Sequence, residues 1–282
     1  MSPGLTVLKG HGTENDFIVL PDLDASLSLS PALVRALCDR HGGIGADGVL
    51  RVVRTALATE PDVLAQAGSA EFFMDYHNAD GSIAEMCGNG VRLFGRYLRQ
   101  SGLIDGPTTI ATRGGTKSLS FDGADVLVDM GVAVPRPERP TVTVAHGPSY
   151  PSVAFDLPNP HVVVELESVR ELLELDLSTP PVVQPPLPDG QNVEFFVRTG
   201  ADQVRMRVHE RGVGETRSCG TGICAVGQAA AGQDAGTQRL RVEIPGGHCE
   251  VWWTEQDHLV LSGPAVFVAS VELDEQWLAT HR

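Results

Sequence analysis

Two short stretches of the sequence place a cysteine in the same setting. Residues 86–98 contain Cys-Gly-Asn-Gly starting at Cys87, and residues 218–230 contain Cys-Gly-Thr-Gly starting at Cys219. When the two cysteines are aligned, the following pairs coincide: Gly88/Gly220, Gly90/Gly222, Gly95/Gly227, Val91/Ile223 and Phe94/Val226. Each stretch is typical of a glycine-rich turn that enters a helix. This predicts both cysteines at helix N-termini, where an anion such as a thiolate is stabilised, and it indicates one site built between two related halves.

A pair of thiols without a metal-ligand pattern suits proton transfer at carbon. Two acid/base groups on opposite faces of one carbon can remove a proton from one side and return a proton from the other, which is racemisation or epimerisation. A thiol suits this work when its pKa of about 8.5 is lowered, as a helix N-terminus does. The turns at 88–90 and 220–222 would offer backbone N–H groups to the substrate carboxylate, and Asn89 and Thr221 can add side-chain donors.

The sequence predicts neither a metal nor an organic cofactor. Its five cysteines are odd in number and widely spaced, which is typical of neither a zinc site nor a disulfide framework. A pyridoxal enzyme needs a Schiff-base lysine, but the chain has only Lys9 and Lys117, and neither lies in a suggestive setting. We therefore expect electrostatic stabilisation of the carbanion.

The composition narrows the class of protein and its partners. A length of 282 residues suits two domains, and a formal charge of −15 argues against a phosphate-backbone partner, so we expect no nucleic-acid partner. No targeting segment and no membrane-length apolar stretch is evident, so we expect a cytoplasmic protein that acts on a small molecule, with no membrane partner.

Hydrophobic patterns predict mostly short strands and one largely apolar helix in each half. Asn15 and Asn159 each precede a strand, and Asn78 and Glu210 each lie nine residues before a motif cysteine. A Pro-rich stretch at 135–140 is typical of a boundary. The expected fold class is α+β, with two pseudo-symmetric halves that each wrap a curved mixed β-sheet around a central helix. We expect halves at residues 1–130, completed by 265–282, and at 131–264, with the active site in the cleft between them.

The chain resembles the diaminopimelate epimerases over essentially its whole length. The matching stretches are 12–17 (Gly-Thr-Glu-Asn-Asp-Phe), 40–47 (Arg-His-Gly-Gly-Ile-Gly-Ala-Asp), 78–82 (Asn-Ala-Asp-Gly-Ser), 86–90 (Met-Cys-Gly-Asn-Gly), 159–161 (Asn-Pro-His), 192–195 (Asn-Val-Glu-Phe), 210–216 (Glu-Arg-Gly-Val-Gly-Glu-Thr) and 218–222 (Ser-Cys-Gly-Thr-Gly). The cysteine motifs alone are moderately specific, because proline-racemase-like enzymes also use paired cysteines. The asparagines and Glu-Arg-Gly make the resemblance specific.

The resemblance implies a fold of that family and the cofactor-independent interconversion of LL- and meso-diaminopimelate, on the route to lysine and peptidoglycan. It implies that Cys87 and Cys219 are the base and the acid. It implies that the reacting carboxylate is held by Gly88, Asn89, Gly220 and Thr221. Glu210 would bind the α-ammonium group. The residues that would line the pocket and bind the distal amino-carboxylate end of the substrate are Asn15, Asn78, Asn159, Asn192 and Arg211. The guanidinium of Arg211 suits this end because its paired N–H groups match a carboxylate.

Two departures from the family pattern lie near these motifs. Members often carry glutamine where this chain has Gly48, so a contact from that side chain is missing or supplied otherwise. Thr13 and Glu14 replace the small residues that often precede Asn15 and Asp16.

Two other functions stay open at this stage. One is a racemase or epimerase for proline-like or other amino acids, against which Arg211 and the asparagines argue, because a monofunctional ring substrate has no distal carboxylate. The other is a redox-sensing protein in which Cys87 and Cys219 form a switchable disulfide; such a protein would show no turnover when fully reduced. The oligomeric state is also open, with a homodimer as the assembly to test.

Overall fold

The computed structural model of the chain describes residues 5–145, 147–232 and 239–281. It contains two compact units, Met1–Val128 with Pro264–Arg282, and Asp129–Gly263. The α-helices are α1 (Pro31–Cys38), α2 (Pro61–Leu64), α3 (Gly88–Gln100), α4 (Val169–Glu174), α5 (Gly220–Ala231) and α6 (Glu275–His281). The strands of the first unit are β1 (Thr6–Gly12), β2 (Asn15–Pro21), β3 (Gly48–Arg54), β4 (Phe72–Asn78), β5 (Thr108–Ala111), β6 (Lys117–Asp122), β7 (Asp125–Gly131) and β20 (Val266–Glu272). Those that follow in the chain are β8 (Val134–Pro135), β9 (Thr141–Thr143), β10 (Ser149–Pro151), β11 (Val153–Leu157), β12 (Asn159–Glu165), β13 (Val182–Gln184), β14 (Asn192–Arg198), β15 (Gln203–Glu210), β16 (Gly214–Thr216), β17 (Leu240–Ile244), β18 (Gly247–Trp253) and β19 (Leu259–Pro264).

The first unit is a mixed sheet around helix α3. From β1 to β7 the pairing runs antiparallel, parallel, antiparallel, parallel, antiparallel and antiparallel. Strand β20 adds to the free side of β1 in antiparallel fashion. Gly95 on α3 lies so close to β6 and β7 that an added Cβ would be 2.9 Å from Leu119 and 3.3 Å from Val126. A larger residue there would push the helix off the sheet.

The second unit repeats the same order of pairing around helix α5. Strands β11, β12, β14, β15, β17, β18 and β19 pair antiparallel, parallel, antiparallel, parallel, antiparallel and antiparallel. Strand β8 adds to β11 as β20 adds to β1. Gly227, the partner of Gly95 in the sequence repeat, has the same role, because a Cβ there would be 2.7 Å from Val251. The expected α+β class, two similar halves with a mixed sheet around a central helix, is confirmed.

The common pairing order makes individual positions of the two units equivalent. In the first unit Phe17 faces Gly48 and Gly48 faces Asn78 across the ladders. In the second unit His161 faces Asn192, and Val193 faces His209, which places Asn192 beside Glu210. Position 48 is therefore equivalent to 192, and 78 is equivalent to 210. Two positions further along, Leu50 is equivalent to Glu194.

Several elements agree with the sequence patterns and others were not predicted. Helix α1 begins after its N-cap residue Ser30, whose hydroxyl accepts from the Leu33 N–H at 3.1 Å, and the hairpin β6–β7 turns at Gly123, where φ is +58°. The sequence patterns did not predict strand β3, helix α2, strand β5 or helix α6. No helix in the described ranges is long and apolar enough to cross a membrane.

Candidate active site

Cys87 lies at the N-terminus of α3, as predicted. It is the N-cap residue, with an extended backbone (φ −143°, ψ 120°), and it is partly exposed. Its side chain does not cap the helix. Gly88 and Asn89 form the first turn, whose N–H groups have no partner within a helix. The sulfur therefore stands beside the donors and the positive end of the dipole that the sequence motif predicts.

Asn15 and Asn89 meet in front of Cys87. The Asn15 Oδ1 atom is 3.5 Å from the Cys87 Sγ atom and accepts from the Asn89 Nδ2 atom at 3.1 Å. Asn15 Nδ2 donates to the Asp47 carboxylate at 2.8 Å. Asn15 begins β2 and Asn89 lies on α3, so the packing of α3 against β2 brings these predicted residues together.

Asn78 ends β4 in the same unit. Its backbone N–H donates to the Ser82 carbonyl at 2.9 Å and its side-chain Nδ2 donates to the Ser82 hydroxyl at 3.0 Å. Ser82 in turn donates to Asp80. The turn that feeds the first cysteine motif thus holds the Asn78 side chain in place.

Gly48 has no room for a side chain. A Cβ at this position would be 2.5 Å from the His77 carbonyl oxygen and 2.7 Å from the Tyr76 ring. The equivalent position in the second unit carries Asn192, whose side chain is buried. The neighbouring strand β4 therefore occupies the space that a side chain at position 48 would need.

We expect Gly48→Ala to lower the free energy of unfolding by about 1–3 kcal/mol, because the carbonyl at 2.5 Å belongs to the backbone and cannot rotate away. Chemical denaturation measures the change. Gly106→Ala is the matched control, since nothing lies within 4 Å of a Cβ there. An unchanged midpoint for Gly48→Ala would contradict this account of the position.

Cys219 lies at the N-terminus of α5 in the second unit. It is again the N-cap residue with an extended backbone (φ −129°, ψ 112°), and its Sγ atom is 3.5 Å from the Thr221 hydroxyl. Unlike Cys87 it is buried, with 6% of its surface exposed. The two cysteines thus share a backbone setting and differ in their access to solvent.

The acid/base environment of Cys219 is anionic. Burial raises the pKa of the Cys219 thiol well above its ordinary value, and the charges of Glu210 and Glu194 raise it further, while Thr221 and the Gly222 N–H act in the other direction. A helix N-terminus predicts a lowered thiol pKa, and this prediction is wrong for Cys219 without bound substrate. Desolvation and two carboxylates outweigh the helix N-terminus.

Glu210 ends β15 and is close to this thiol. Burial raises its pKa, against hydrogen bonds from Thr216 and Cys219 that lower it. The Thr216 hydroxyl donates to the carboxylate. A half-buried carboxylate that accepts from a thiol is suited both to bind an ammonium group and to take the thiol proton.

A buried histidine–glutamate pair lies beneath α5. His161 Nδ1 is 2.7 Å from Glu194 Oε1, and both side chains have 0% exposure. His161 Nε2 is 3.0 Å from the Asn159 Oδ1 atom. Gly222 leaves the room for this carboxylate, since a Cβ there would be 2.7 Å from Glu194 Oε1. The first unit has the apolar residues Phe17 and Leu50 at the equivalent positions. The second unit therefore has an ionisable pair where the first has an apolar pair.

Asn192 and Arg211 are adjacent in the second unit. Asn192 Oδ1 accepts from the Arg211 backbone N–H at 2.9 Å. The Arg211 guanidinium donates to the Asp189 carbonyl, and the side chain is exposed. The loop that follows β15 therefore leaves this cation within reach of a ligand.

The predicted residues are divided between the two units. The first contains Asn15, Asn78, Cys87, Gly88 and Asn89, and the second contains Asn159, Asn192, Glu210, Arg211, Cys219, Gly220 and Thr221. Sequence reasoning missed Asp47, Arg92 and Glu194 as supports of these groups and left His161 without a definite role. Asp47 and Glu194 do lie inside matched motifs, which was an available signal.

Comparisons with known proteins decide the family. A sequence model described as "Diaminopimelate epimerase" matches residues 7–135 and 153–268. A diaminopimelate epimerase of Streptomyces coelicolor is 46% identical over 289 residues, covering 99% of this chain and 98% of the relative. One of Mycolicibacterium smegmatis is 47% identical over 285 residues, covering 95% and 97%. The chain belongs to the diaminopimelate epimerase family.

Solved structures with the same fold extend beyond this family. A phenazine biosynthesis protein of the PhzF family from Bacillus anthracis has a TM-score of 0.67 at 15% identity, covering 96% of this chain and 99% of that one. A hydroxyproline epimerase from Agrobacterium vitis has a TM-score of 0.63 at 14% identity, covering 97% and 94%. At such identities these likenesses show the fold alone. Their fold agrees with the α+β class that the sequence predicts for this chain.

Proposed function

We propose that this chain is a cofactor-independent isomerase that interconverts LL- and meso-2,6-diaminopimelate, an amino-acid precursor of lysine and peptidoglycan. The observation that carries the proposal is the equivalence of Cys87 and Cys219: each is the N-cap of the central helix in a unit with the same strand pairing. Membership of the diaminopimelate epimerase family supplies the substrate.

In the proposed reaction one cysteine serves each face of the substrate α-carbon. A thiolate takes the α-proton, so the C–H bond breaks and an S–H bond forms. The carbanion then takes a proton from the other thiol, which becomes a thiolate. No electron leaves the system, and the configuration at carbon inverts because the two protons use opposite faces.

We assign the reacting carboxylate to the first turns of α3 and α5. Gly88 and Asn89 would bind it from one helix and Gly220 and Thr221 from the other, because fixed N–H donors stabilise the charge that develops on this group. Glu210 would bind the α-ammonium. A cation beside Glu210 also offsets the negative field that raises the pKa of Cys219, so substrate binding helps this thiol to ionise.

We assign the distal amino-carboxylate end of the substrate to Asn15, Asn78, Asn159, Asn192 and Arg211. Amide side chains can both donate and accept, which suits a zwitterionic end group. Arg211 is the one cation in this set and matches a carboxylate with two parallel N–H groups. The proline-like alternative offers no such partner for it.

Replacing Arg211 with Met should lower kcat/KM for diaminopimelate at least about tenfold, since a hydrogen bond between charged groups is worth about 1.5–3 kcal/mol. Steady-state kinetics on LL-diaminopimelate measures the loss. Arg170→Met is the matched control, because Arg170 is 83% exposed and pairs with Glu174 on α4. Wild-type kinetics for Arg211→Met would show that the proposed pose is wrong.

The proposed activity is tested with the reduced full-length protein after treatment with a chelator. LL-diaminopimelate should be converted to an equilibrium mixture with the meso isomer, and L-proline should not be racemised. Conversion of proline instead would favour the neighbouring racemase function. The absence of turnover with both, in fully reduced protein, would favour the redox-sensor alternative and overturn the proposal.

A homodimer in the cytoplasm is the assembly that we propose. Strand β20 pairs with β1, yet most of its residues are exposed, among them Val266 at 44% and Val268 at 65%. An apolar exposed strand at a sheet edge is a common site of pairing between chains. Light scattering after gel filtration would give a dimer mass for the wild type and a monomer mass for Val268→Lys; a wild-type monomer would contradict the proposal.

A further inference from the structure

The Asn15 side chain connects a cluster of charged residues to Cys87. Its Nδ2 atom donates to Asp47 Oδ2 at 2.8 Å, and its Oδ1 atom is 3.5 Å from the Cys87 Sγ atom. The two ends of an amide differ in chemistry, since the nitrogen only donates and the oxygen only accepts. The helix N-terminus favours the thiolate of Cys87, and the end of the amide that faces the sulfur acts either with this effect or against it.

Asp47 fixes the amide from one side. Its Oδ2 atom accepts from Asn15 and from the Asp16 backbone N–H at 3.2 Å, and its Oδ1 atom accepts from Arg40 at 2.8 Å. Burial and the neighbouring Asp16 carboxyl raise the pKa of Asp47, whereas the hydrogen bonds from Asn15 and the Asp16 backbone lower it. The three N–H donors favour the ionised form, which accepts and does not donate. Only the nitrogen of the Asn15 amide can face it, so the oxygen must face Cys87.

Arg92 fixes the same arrangement from the other side. This fully buried side chain donates to Asn89 Oδ1 at 2.8 Å and to the Thr13 hydroxyl at 2.9 Å. A guanidinium cannot accept, so Asn89 must present its oxygen to Arg92 and its nitrogen to Asn15. Asn89 Nδ2 does donate to Asn15 Oδ1 at 3.1 Å. An anion and a cation at the two ends thus orient both amides in the same sense.

The other charged groups that pack here hold Asp47 in position. Lys9 on β1 and Arg40 after α1 both pair with Asp16 on β2. Burial by itself raises the pKa of Asp16, but the hydrogen bonds from Arg40 and Lys9 lower it below its usual range, so Asp16 stays ionised. Glu85, two residues before Cys87, is exposed to solvent.

We propose that Asp47 is a positioning residue that turns the Asn15 amide oxygen toward Cys87, so that Cys87 rests as a thiol. An S–H group donates to this oxygen, whereas a thiolate would face its lone pairs. Cys87 is then ready to give a proton to the carbanion, and the proton taken from substrate goes to the Cys219 side. The direction of transfer rests on the proposed epimerase function; the resting state of Cys87 does not.

The test measures the ionisation of Cys87 without substrate. Alkylation by iodoacetamide across a pH series, followed by mass spectrometry of the Cys87 peptide, gives the pH midpoint of its reactivity. Asp47→Asn replaces a group that only accepts with one that can also donate, so the Asn15 amide keeps only its Asn89 contact as an anchor and its nitrogen can turn toward the sulfur and stabilise the thiolate. We expect the Cys87 midpoint to fall by on the order of one pH unit. Asp122→Asn, which removes an exposed charge in the same unit, should leave the midpoint in place.

Loss of the Asp47 charge could also act directly through space, and a double-mutant cycle separates the two effects. If Asp47 acts through the amide, Asp47→Asn changes nothing further in an Asn15→Ala background. An equal shift in both backgrounds, or no shift in the wild-type background, overturns the proposal. Should Asp47→Asn not fold, Asn15→Ala alone decides, because loss of the carbonyl must lower the midpoint and an unchanged value overturns the proposal. The readout needs no turnover, so a failure of the proposed epimerase activity is scored separately.

Discussion

Cys87→Ala and Cys219→Ala should each lower kcat for epimerisation by on the order of 10³-fold or more, since each removes one of two groups between which the proton must pass. Steady-state conversion of LL-diaminopimelate to the meso isomer measures this loss. Because the two thiols act as one unit, the double variant should be hardly slower than either single variant. For wild type, kcat/KM should follow a bell-shaped pH profile, since one thiol must be ionised while the other is protonated.

The matched control for both variants is Cys38→Ala. Cys38 is a buried thiol on α1, and burial raises its pKa to about 12, so it cannot serve as a base near neutral pH. Its replacement should affect stability and leave the rate of epimerisation within a few-fold of wild type. Substantial epimerisation by either Cys87→Ala or Cys219→Ala would show that a single base suffices.

The buried pair beneath Cys219 should give the largest effect on stability. Glu194→Leu leaves His161 without the carboxylate that lies 2.7 Å from its Nδ1 atom, and His161→Phe leaves a buried carboxylate uncompensated. Removing one partner of a buried pair costs about 3–5 kcal/mol of unfolding free energy. Urea denaturation of each variant measures the cost.

The first unit indicates which residues could restore the stability that either single variant loses. It carries Phe17 and Leu50 at the positions equivalent to His161 and Glu194. The double variant His161→Phe/Glu194→Leu should therefore recover most of the stability lost by either single variant, as apolar replacements of buried pairs do. It should also lower the pKa of Cys219, because Glu194 is one of the charges that raise it. Strictly additive losses would contradict the paired role.

The repeat made the fold predictable. The coincidence of three glycine pairs around Cys87 and Cys219 requires two helices in the same setting, and the alternating strands require sheets to cover them. Gly95 and Gly227 each lie where the central helix packs tightly against the sheet. Strand β3 went unpredicted because it follows directly on the glycine-rich stretch 41–48, whose composition is typical of a loop.

The supports of the site were less accessible from sequence. Asp47 lies 32 positions from Asn15, and Glu194 lies 33 positions from His161. Such contacts depend on strand register, which no local pattern specifies. The raised pKa of Cys219 was missed for the same reason: a helix N-terminus is visible in the sequence, whereas the burial that outweighs it arises only from packing. The motifs indicate the groups that the proposed chemistry uses, and the tertiary structure sets their surroundings.

Turnover in heavy water tests the two-thiol account most directly. Single-turnover conversion of LL-diaminopimelate in deuterium oxide, followed by mass spectrometry of both isomers, gives the isotope at the α-carbon. If Cys87 and Cys219 serve opposite faces, the product carries deuterium from the first turnover, because the thiol that donates has exchanged with solvent. Unreacted substrate keeps its own proton. Product that retains the substrate's own proton would mean that one group removes and returns it, and the two-base assignment would be wrong.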